Sequence, residues 1–449
     1  MHKINDMTEG APFNLYVRFS VPMIISNIFY QLYILVDGIV ASRLIGLNAF
    51  AAISAAGFFY LFILEAVMGF SQGAGIRFAQ LYGAKRYDET RNSAAISIML
   101  AFLIGAFLSI LCFFITIPVL TLMNTPIEII KDSVTYLYCM FAGLIPTFLY
   151  KILNSIFFGM GDSKTPLVAL ILGSSIDTAL TIVLVLVTPL GVAAIGISTI
   201  LSQFVTCMYL FLQLCRNKEL RLSRGDFRIR LAAVSELLRI SLPISARNTV
   251  SALGGVVIQY VVNGYGVAFI AGVAAAKRLY ILLFIIADPM EPAIGTFIAQ
   301  NFGARRFIRV KDGMQTAKRI MLISSISIMV LVFFFGKWFL SLIIGNDVSI
   351  AIVSTVALGQ LRVCLLFLPM FYLLILYRSG LQGMGKTTPT LISGIIEGGL
   401  RIIAIFLLPF FLGKIGVYIT EVIAWPVCAV QLFFAFSVVY HRELQADKE

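Results

Sequence analysis

Long apolar runs separated by short polar punctuation fill the chain from its first turn to its last. Spanning a bilayer as a helix takes about 20 apolar residues, and roughly twelve stretches meet that length. The first group begins near Phe13, Leu47, Ser93, Ser133, Pro166 and Gly191, and the second near Leu237, Gly266, Thr316, Ser349, Pro389 and Ile415. Backbone groups in lipid must be bonded within their own segment, and the two-residue alternation of a membrane barrel is absent. The pattern therefore predicts an all-α membrane protein with about 12 transmembrane helices.

Between the two groups lies the polar segment Cys215 to Ile240, in which Arg216, Lys218, Arg221, Arg224, Arg228 and Arg230 face only Glu219 and Asp226. Loops rich in Lys and Arg are retained on the cytoplasmic side. The turns at Lys85, Arg86 and Arg91, at Lys164, at Arg305, Arg306, Arg309 and Lys311, and at Lys386 belong with it, against little more than Arg43, Lys131 and Lys414 on the opposite side. Both termini are thus expected in the cytoplasm and the protein in the cell membrane.

The two groups echo each other. Phe19-Ser-Val-Pro-Met-Ile-Ile-Ser-Asn27 returns as Ile240-Ser-Leu-Pro-Ile-Ser-Ala-Arg-Asn248, and Gln80-Leu-Tyr-Gly-Ala-Lys-Arg86 as Gln300-Asn-Phe-Gly-Ala-Arg-Arg306. Gly159-Met-Gly161 with Thr165-Pro166 returns as Gly383-Met-Gly385 with Thr388-Pro389. Repetition at one offset marks a duplicated unit. With an even number of spans each, the halves form two six-helix parallel repeats around a central cavity. The expected division is residues 1–215 as an N-terminal lobe, 216–236 as a basic linker and 237–449 as a C-terminal lobe.

Composition narrows the function. Hydrophobic residues make up 60% of the 449 and charged residues 12%, about half the share of a soluble domain. The net charge of +12 sits in short loops between apolar runs, so it is read as orientation bias and not as a nucleic-acid footprint. The N-terminus, with Asp6 and Glu9, lacks the basic start and cleavage site of a removable signal peptide, and the first apolar segment is expected to remain as an anchor. Cys112, Cys139, Cys207, Cys215, Cys364 and Cys428 are scattered and read as small buried hydrophobes, so no cofactor or firm metal site is expected. The histidines, His2 and His441, flank the membrane region and no hydrolase motif is present, which argues against an enzyme. Gly380-Leu-Gln-Gly-Met-Gly-Lys386-Thr387 matches the phosphate-loop pattern, but it joins two membrane spans instead of a strand and a helix. It is read as a tight turn, and ATP is not expected.

The run Val36-Asp37-Gly38-Ile39, the two Gln-to-Arg loops, the Gly-Met-Gly turns and Gly191-Val-Ala-Ala-Ile-Gly-Ile-Ser-Thr-Ile-Leu-Ser-Gln203 resemble the multidrug and toxic compound extrusion (MATE) family over nearly the whole chain. The resemblance implies a two-lobed secondary antiporter, monomeric, that exports organic cations and other amphipathic small molecules in exchange for protons or sodium ions by alternating access. A sodium-coupled exporter is the alternative, followed by a lipid-linked precursor flippase of the same superfamily.

At about 100° per residue, Ser26, Tyr30, Tyr33 and Asp37 share one face of the first span. A charge near the bilayer centre costs about 2.5–3.5 kcal/mol, so Asp37 should face a cavity or a partner, unless it caps a loop at the outer interface. Asp177 lies near mid-membrane in the fifth span with Ser174 and Thr181 on its face, either as a proton carrier or as a structural partner of Lys151. In the family pattern, acids matching Asp37 and Asp177 couple ion movement to export. Asn154 and Thr199 match polar positions that line the same ion site in some members, or they serve helix-to-helix hydrogen bonding. Gly173 stands where the family often has Asn, one turn before Asp177; this removes an oxygen ligand and favours protons over Na+, although Na+ at Asp37 stays open. The second half carries Arg247, Lys277, Arg362, Arg378, Glu397 and Arg401 in or near its spans, as candidate cavity residues or internal ion pairs, with Glu397 and Arg401 spaced i, i+4.

Overall fold

The computed structural model describes residues 6–123, 125–217, 220–344 and 350–447. The expected span start at Ser349 and the linker residues Lys218 and Glu219 lie outside the described residues. In the first half, α1 is Pro12–Val40, extended by a π-helical turn at Ala41–Ile45, followed by α2 Leu47–Gly83, α3 Tyr87–Leu122, α4 Ile127–Ala142, α5 Leu144–Gly159, α6 Lys164–Val187 and α7 Val192–Arg216. The second half has α8 Leu231–Asn263, α9 Val267–Phe284, α10 Ala287–Gly303, α11 Phe307–Ile344, α12 Ile350–Gly383, α13 Thr388–Leu412, α14 Lys414–Val422 and α15 Ala424–Ala446.

Nine helical segments among the described residues are long and apolar enough to cross a membrane, and two bent pairs raise the number to eleven. The pairs are α4 with α5, bent by 50°, and α9 with α10, bent by 40°. Each break lies three residues ahead of a proline, Pro146 or Pro289, which cannot donate to the preceding turn. The twelfth long element, α8, carries Arg247, Asn248, Thr249 and Ser251 in its middle and falls short of the apolar requirement. Several helices start earlier than their apolar runs. α3, for example, opens with the polar turn Tyr87 to Asn92, where Asp88 and Glu89 sit favourably at the positive helix end.

The repeat is written into the backbone. Left-handed or otherwise positive φ angles occur at Gly46 and Gly266, Lys85 (57°) and Arg305 (55°), Gly161 and Gly385, and Gly191 and Gly413, four matched pairs about 220 residues apart. Lys85 and Arg305 lack glycine's freedom, a cost of roughly 1–2 kcal/mol each, partly offset by placing a cation at a helix C-terminus. Their turns are closed by the same bonds. Lys85 N–H donates to the Tyr82 carbonyl at 3.0 Å and Arg305 N–H to that of Phe302 at 3.0 Å. Packing repeats too: a Cβ on Gly159 would lie 2.9 Å from the Gly75 carbonyl oxygen, and one on Gly383 would lie 2.8 Å from that of Gly295.

The Gly380–Lys386 segment is the turn that ends α12. The backbone N–H groups of Met384, Gly385 and Lys386 donate to the carbonyls of Gly380, Gln382 and Leu381, and so are not presented as a phosphate cradle. Lys386 Nζ meets Glu443 Oε1 at 2.7 Å. In the matching turn, Asp162 caps the start of α6, accepting from the N–H groups of Lys164 and Thr165 at 2.9 and 3.1 Å.

Two compact units divide the chain, one built on Val21–Ser245 and the other on Met7–Ser20 with Ala246–Glu449. The boundaries fall inside α1 and α8, beside Pro22 and Pro243, and not in the 216–236 linker where the sequence suggests them. In the first unit, the opening half of α8 lies against α2. Cβ atoms on Gly69 and Gly73 would sit 2.5 and 2.4 Å from the Cα atoms of Ser245 and Ser241, and Arg77 pairs with Glu236. The linker also packs here: Asn92 Nδ2 donates to the carbonyls of Asp226 and Arg228 at 2.7 and 2.9 Å. In the second unit, the chain ahead of α1 is strapped to α10 and α11. Met7 N–H donates to Gln300 Oε1 at 2.9 Å, and Arg309 Nη2 donates to the Gly10 carbonyl at 3.0 Å. Tyr16 packs on Phe297 with ring centroids 5.0 Å apart.

A paired-carboxylate site in the N-terminal half

Close helix approaches position the acids. α6 and α7 meet at Gly173, where a Cβ would stand 2.4 Å from Thr206 Oγ1. α7 approaches α4 through Gly196, where a Cβ would meet that of Cys139 at 2.5 Å. These contacts carry the Ser198, Thr199 and Ser202 hydroxyls of α7 to the buried face of α6, where Asp177 is 1% exposed.

Ser202 Oγ donates to Asp177 Oδ1 at 3.3 Å, and the hydroxyls of Tyr33, Ser198 and Thr199 are neighbours of the same carboxyl group. The Tyr33 hydroxyl also reaches Asp37, and the two carboxylates are close enough to feel each other's charge. One phenol therefore neighbours both acids. Asp37 Oδ1, Asp177 Oδ2 and the amide oxygen of Asn154 are buried with no hydrogen-bond partner among the described residues. An unpaired buried acceptor costs about 1–3 kcal/mol, more when charged. A proton on a carboxylate, or a hard cation held between the oxygens, removes that cost.

The other candidates distribute unevenly. Thr199 joins the acid pair, whereas Thr181 is hydrogen-bonded to Ser198 and Ser174 Oγ turns back to the Leu170 carbonyl at 2.8 Å. Tyr30 packs beside Tyr33 with centroids 6.3 Å apart and is 41% exposed. Lys151 is not the partner of Asp177. Its acidic neighbour is Glu65 in α2, and its ammonium lies 5.6 Å above the Tyr150 ring. Tyr150 in turn neighbours Asn154. Glu65 escaped the sequence reading, although an acid set in the apolar run Tyr60-Leu-Phe-Ile-Leu-Glu-Ala-Val is the kind of intramembrane charge that signals a site. Ser198 and Ser202 were likewise not singled out, because only the α6–α7 packing aims them.

In the second half, Arg247, Arg378, Glu397 and Arg401 come together. Arg378 Nη2 donates to Glu397 Oε2 at 2.9 Å, and Arg401 Nη2 stands 3.1 Å from Glu397 Oε1. Lys277 Nζ turns instead to Gln259 Oε1 at 3.5 Å, and Arg362 is exposed. Among the described residues no cluster of three or more His, Cys, Asp or Glu could hold a metal ion.

A repeated bundle of membrane helices with acids buried inside the spans defines a membrane transporter. The comparisons agree. A family model described as MatE matches residues 22–183 and 243–407, one match in each half, and the chain belongs to that family. The probable multidrug resistance protein YoeA of Bacillus subtilis is 28% identical over 78% of this chain and 77% of its own. The multidrug export protein MepA of Staphylococcus saprophyticus is 23% identical over 98% of this chain and 96% of its own. A MOP-superfamily transporter from Pyrococcus furiosus, described as having a binding pocket of reverse polarity, shares the fold with a TM-score of 0.91 at 21% identity, covering 99% of each chain. Family and structural neighbours are transporters, not enzymes.

Proposed function

We propose that the chain is a secondary antiporter that exports amphipathic drugs and toxic compounds, organic cations among them, in exchange for protons by alternating access. The observation that carries this reading is the neighbouring acids Asp37 and Asp177, each with one buried carboxylate oxygen unpartnered among the described residues and with Tyr33 beside both. Protons entering from outside neutralise the pair, and their release to the cytoplasm returns it to the charged form. Each charge crossing 100 mV is worth about 2.3 kcal/mol, so two such acids suffice to use the gradient. The names of YoeA and MepA support multidrug export as the task. The basic turns and linker support a cell-membrane orientation with both termini in the cytoplasm.

Protons are favoured over sodium because the position one turn before Asp177 has no room for an oxygen-bearing side chain: Thr206 Oγ1 occupies the space beside Gly173. The test is efflux of a fluorescent organic cation from inverted vesicles under a proton gradient or a sodium gradient. Proton-driven efflux that disappears in Asp37→Asn is the expected result. Efflux driven by sodium alone would overturn the coupling ion, and no efflux across a broad panel of compounds under either gradient would overturn the export assignment.

A further inference from the structure

The linker is a docked structure and not a slack tether. Leu220 and Leu222 pack into the core of the first unit, against residues of α2, α3 and α7. The Asp226 carboxylate accepts from the Ser223 N–H and hydroxyl, both at 2.7 Å, and Arg91 Nε stands 3.6 Å from its other oxygen. Asn92 holds the carbonyls of Asp226 and Arg228. What this fixed segment shows outward is Arg221, Arg224, Arg228 and Arg230, all exposed, interleaved with Phe227, Ile229 and Leu231, which are 38%, 62% and 83% exposed.

Its level in the bundle follows from the antiparallel contact of α2 and α8. Gly69 faces Ser245, Gly73 faces Ser241 and Arg77 pairs with Glu236. Continued at about 1.5 Å per residue, that register brings the end of α2 at Gly83 level with the start of α8 at Leu231. Ile229 and Leu231 therefore lie at the height of the Lys85 and Arg86 turn, where the apolar span of α2 stops. The acids nearby are already engaged. Glu236, Glu89 and Asp88 pair with Arg77, Arg86 and Arg91, and none of the four linker arginines has an ion pair among the described residues.

Cations and large apolar side chains held together at the end of a membrane span match both layers of a phospholipid surface. The long arginine stem lets its fork reach the phosphate layer while apolar neighbours sit deeper. A soluble anion would use the arginines alone and leave Ile229 and Leu231 in water. We propose that residues 221–231 form a membrane-surface docking site for anionic phospholipid headgroups, with Arg224, Arg228 and Arg230 on the phosphates and Phe227, Ile229 and Leu231 at the acyl boundary. Its assignment to the cytoplasmic leaflet rests on the orientation proposed above, whereas the lipid contact does not.

The full chain carrying Phe227→Trp and Trp338→Phe, with the buried Trp425 as a constant background, tests this in nanodiscs. One set is phosphatidylcholine and the other an equal mixture with phosphatidylglycerol, each also made with brominated acyl chains. A nanodisc offers the same lipid on both faces, so neither orientation nor transport enters the readout. Each arginine near an anionic surface favours the attached state about fivefold, and three together about a hundredfold. The introduced indole should therefore shift to the blue and be quenched by bromine in the anionic discs and much less in the neutral ones. Glutamine at Arg224, Arg228 and Arg230 together should abolish the difference, and lysine at the same positions should keep most of it. Equal emission and quenching in the two lipids, or a difference that survives the glutamine variant, would overturn the proposal. So would the same blue shift produced in neutral discs by inorganic phosphate or a short RNA. Asp37→Asn should keep the wild-type lipid response even where it loses proton-driven efflux, so failure of the coupling assignment and failure of this site read out separately.

Discussion

Gly173 is where the packing of α6 on α7 and the choice of coupling ion meet, and replacing it by Asn tests both. A Cβ there lies 2.4 Å from Thr206 Oγ1, and the next atoms, Thr206 Cβ and Cγ2, are at 3.6 and 3.7 Å. Ordinary contact begins near 3.4 Å, so a single hydroxyl blocks the position. Gly173→Asn therefore forces overpacking of about 1–3 kcal/mol. At about 1 °C per kcal/mol in a chain of this size, the apparent Tm falls by about 1–3 °C. Thr206→Ala alone loses the bond from Oγ1 to the Ser202 carbonyl at 2.7 Å, about 0.5–1.5 kcal/mol. In the double variant the nearest remaining atom is in ordinary contact, so the clash vanishes and the protein melts close to Thr206→Ala, with a coupling of about 1–3 kcal/mol. The assay is thermal unfolding of all four proteins in one detergent at one scan rate, since such transitions are irreversible and rate-dependent. Vesicle efflux follows: the amide placed one turn before Asp177 should let a sodium gradient drive export where wild type responds only to protons. A Gly173→Asn protein that melts with wild type, or a double variant that falls by the sum of the singles, would refute the close approach.

Further outcomes are fixed by the same geometry. Asp177→Asn should abolish proton-driven efflux in inverted vesicles while the protein still elutes as a folded species, and retained efflux would remove Asp177 from the coupling site. Gly383→Ala should lower the Tm, because its Cβ meets Ile298 Cβ at 2.7 Å and the Gly295 carbonyl oxygen at 2.8 Å, whereas Gly295→Ala enters open space and should be neutral or gain up to about 1 kcal/mol. Equal shifts in the two would contradict the packing of α10 on α12. Burial pushes the Asp226 carboxyl up, but hydrogen bonds from Ser223 and the Arg91 guanidinium outweigh this and hold it below the usual carboxylate range. Its contribution to linker docking is therefore complete above the ordinary carboxylate pKa of about 3.9 and is lost as pH falls through the lower folded value. Asp226→Asn should accordingly speed tryptic cleavage after Arg224 and Arg228 at neutral pH, with unchanged cleavage as the contrary result.

The duplicated architecture was legible because tight turns demand particular residues. Gly161 and Gly385 sit at positive φ, and the Gln80 and Gln300 loops recur around the strained Lys85 and Arg305, so backbone necessity left a trace in the letters. Asp37 and Asp177 stood out because a charge in an apolar run is costly. Their shared phenol was half visible, since Tyr33 lies one turn before Asp37, but the Ser198 and Ser202 hydroxyls reach Asp177 only through a crossing of α6 and α7 that periodicity does not encode. Glu65, the acid whose charge reaches Lys151, was hidden for the same reason, because it is brought there from another helix, α2. The unit boundaries were hidden because helices α1 and α8 run unbroken through Pro22 and Pro243 while their packing partners change.

That exchange has a bearing on how the protein is made. Met7, Tyr16 and Phe19 are fully buried, and the partners of the first two, Gln300 and Phe297, lie nearly three hundred residues later in the chain. At synthesis rates of about 5–20 residues per second, the opening of α1 waits at least roughly 15 s for α10 to emerge. The N-terminal half thus inserts with one helix start unseated, and the first 245 residues expressed alone would lack the surface that covers Tyr16. Completion of the second half is a condition for finishing the first, so a nascent chain halted between them presents apolar and unpaired groups to the quality-control machinery of the membrane.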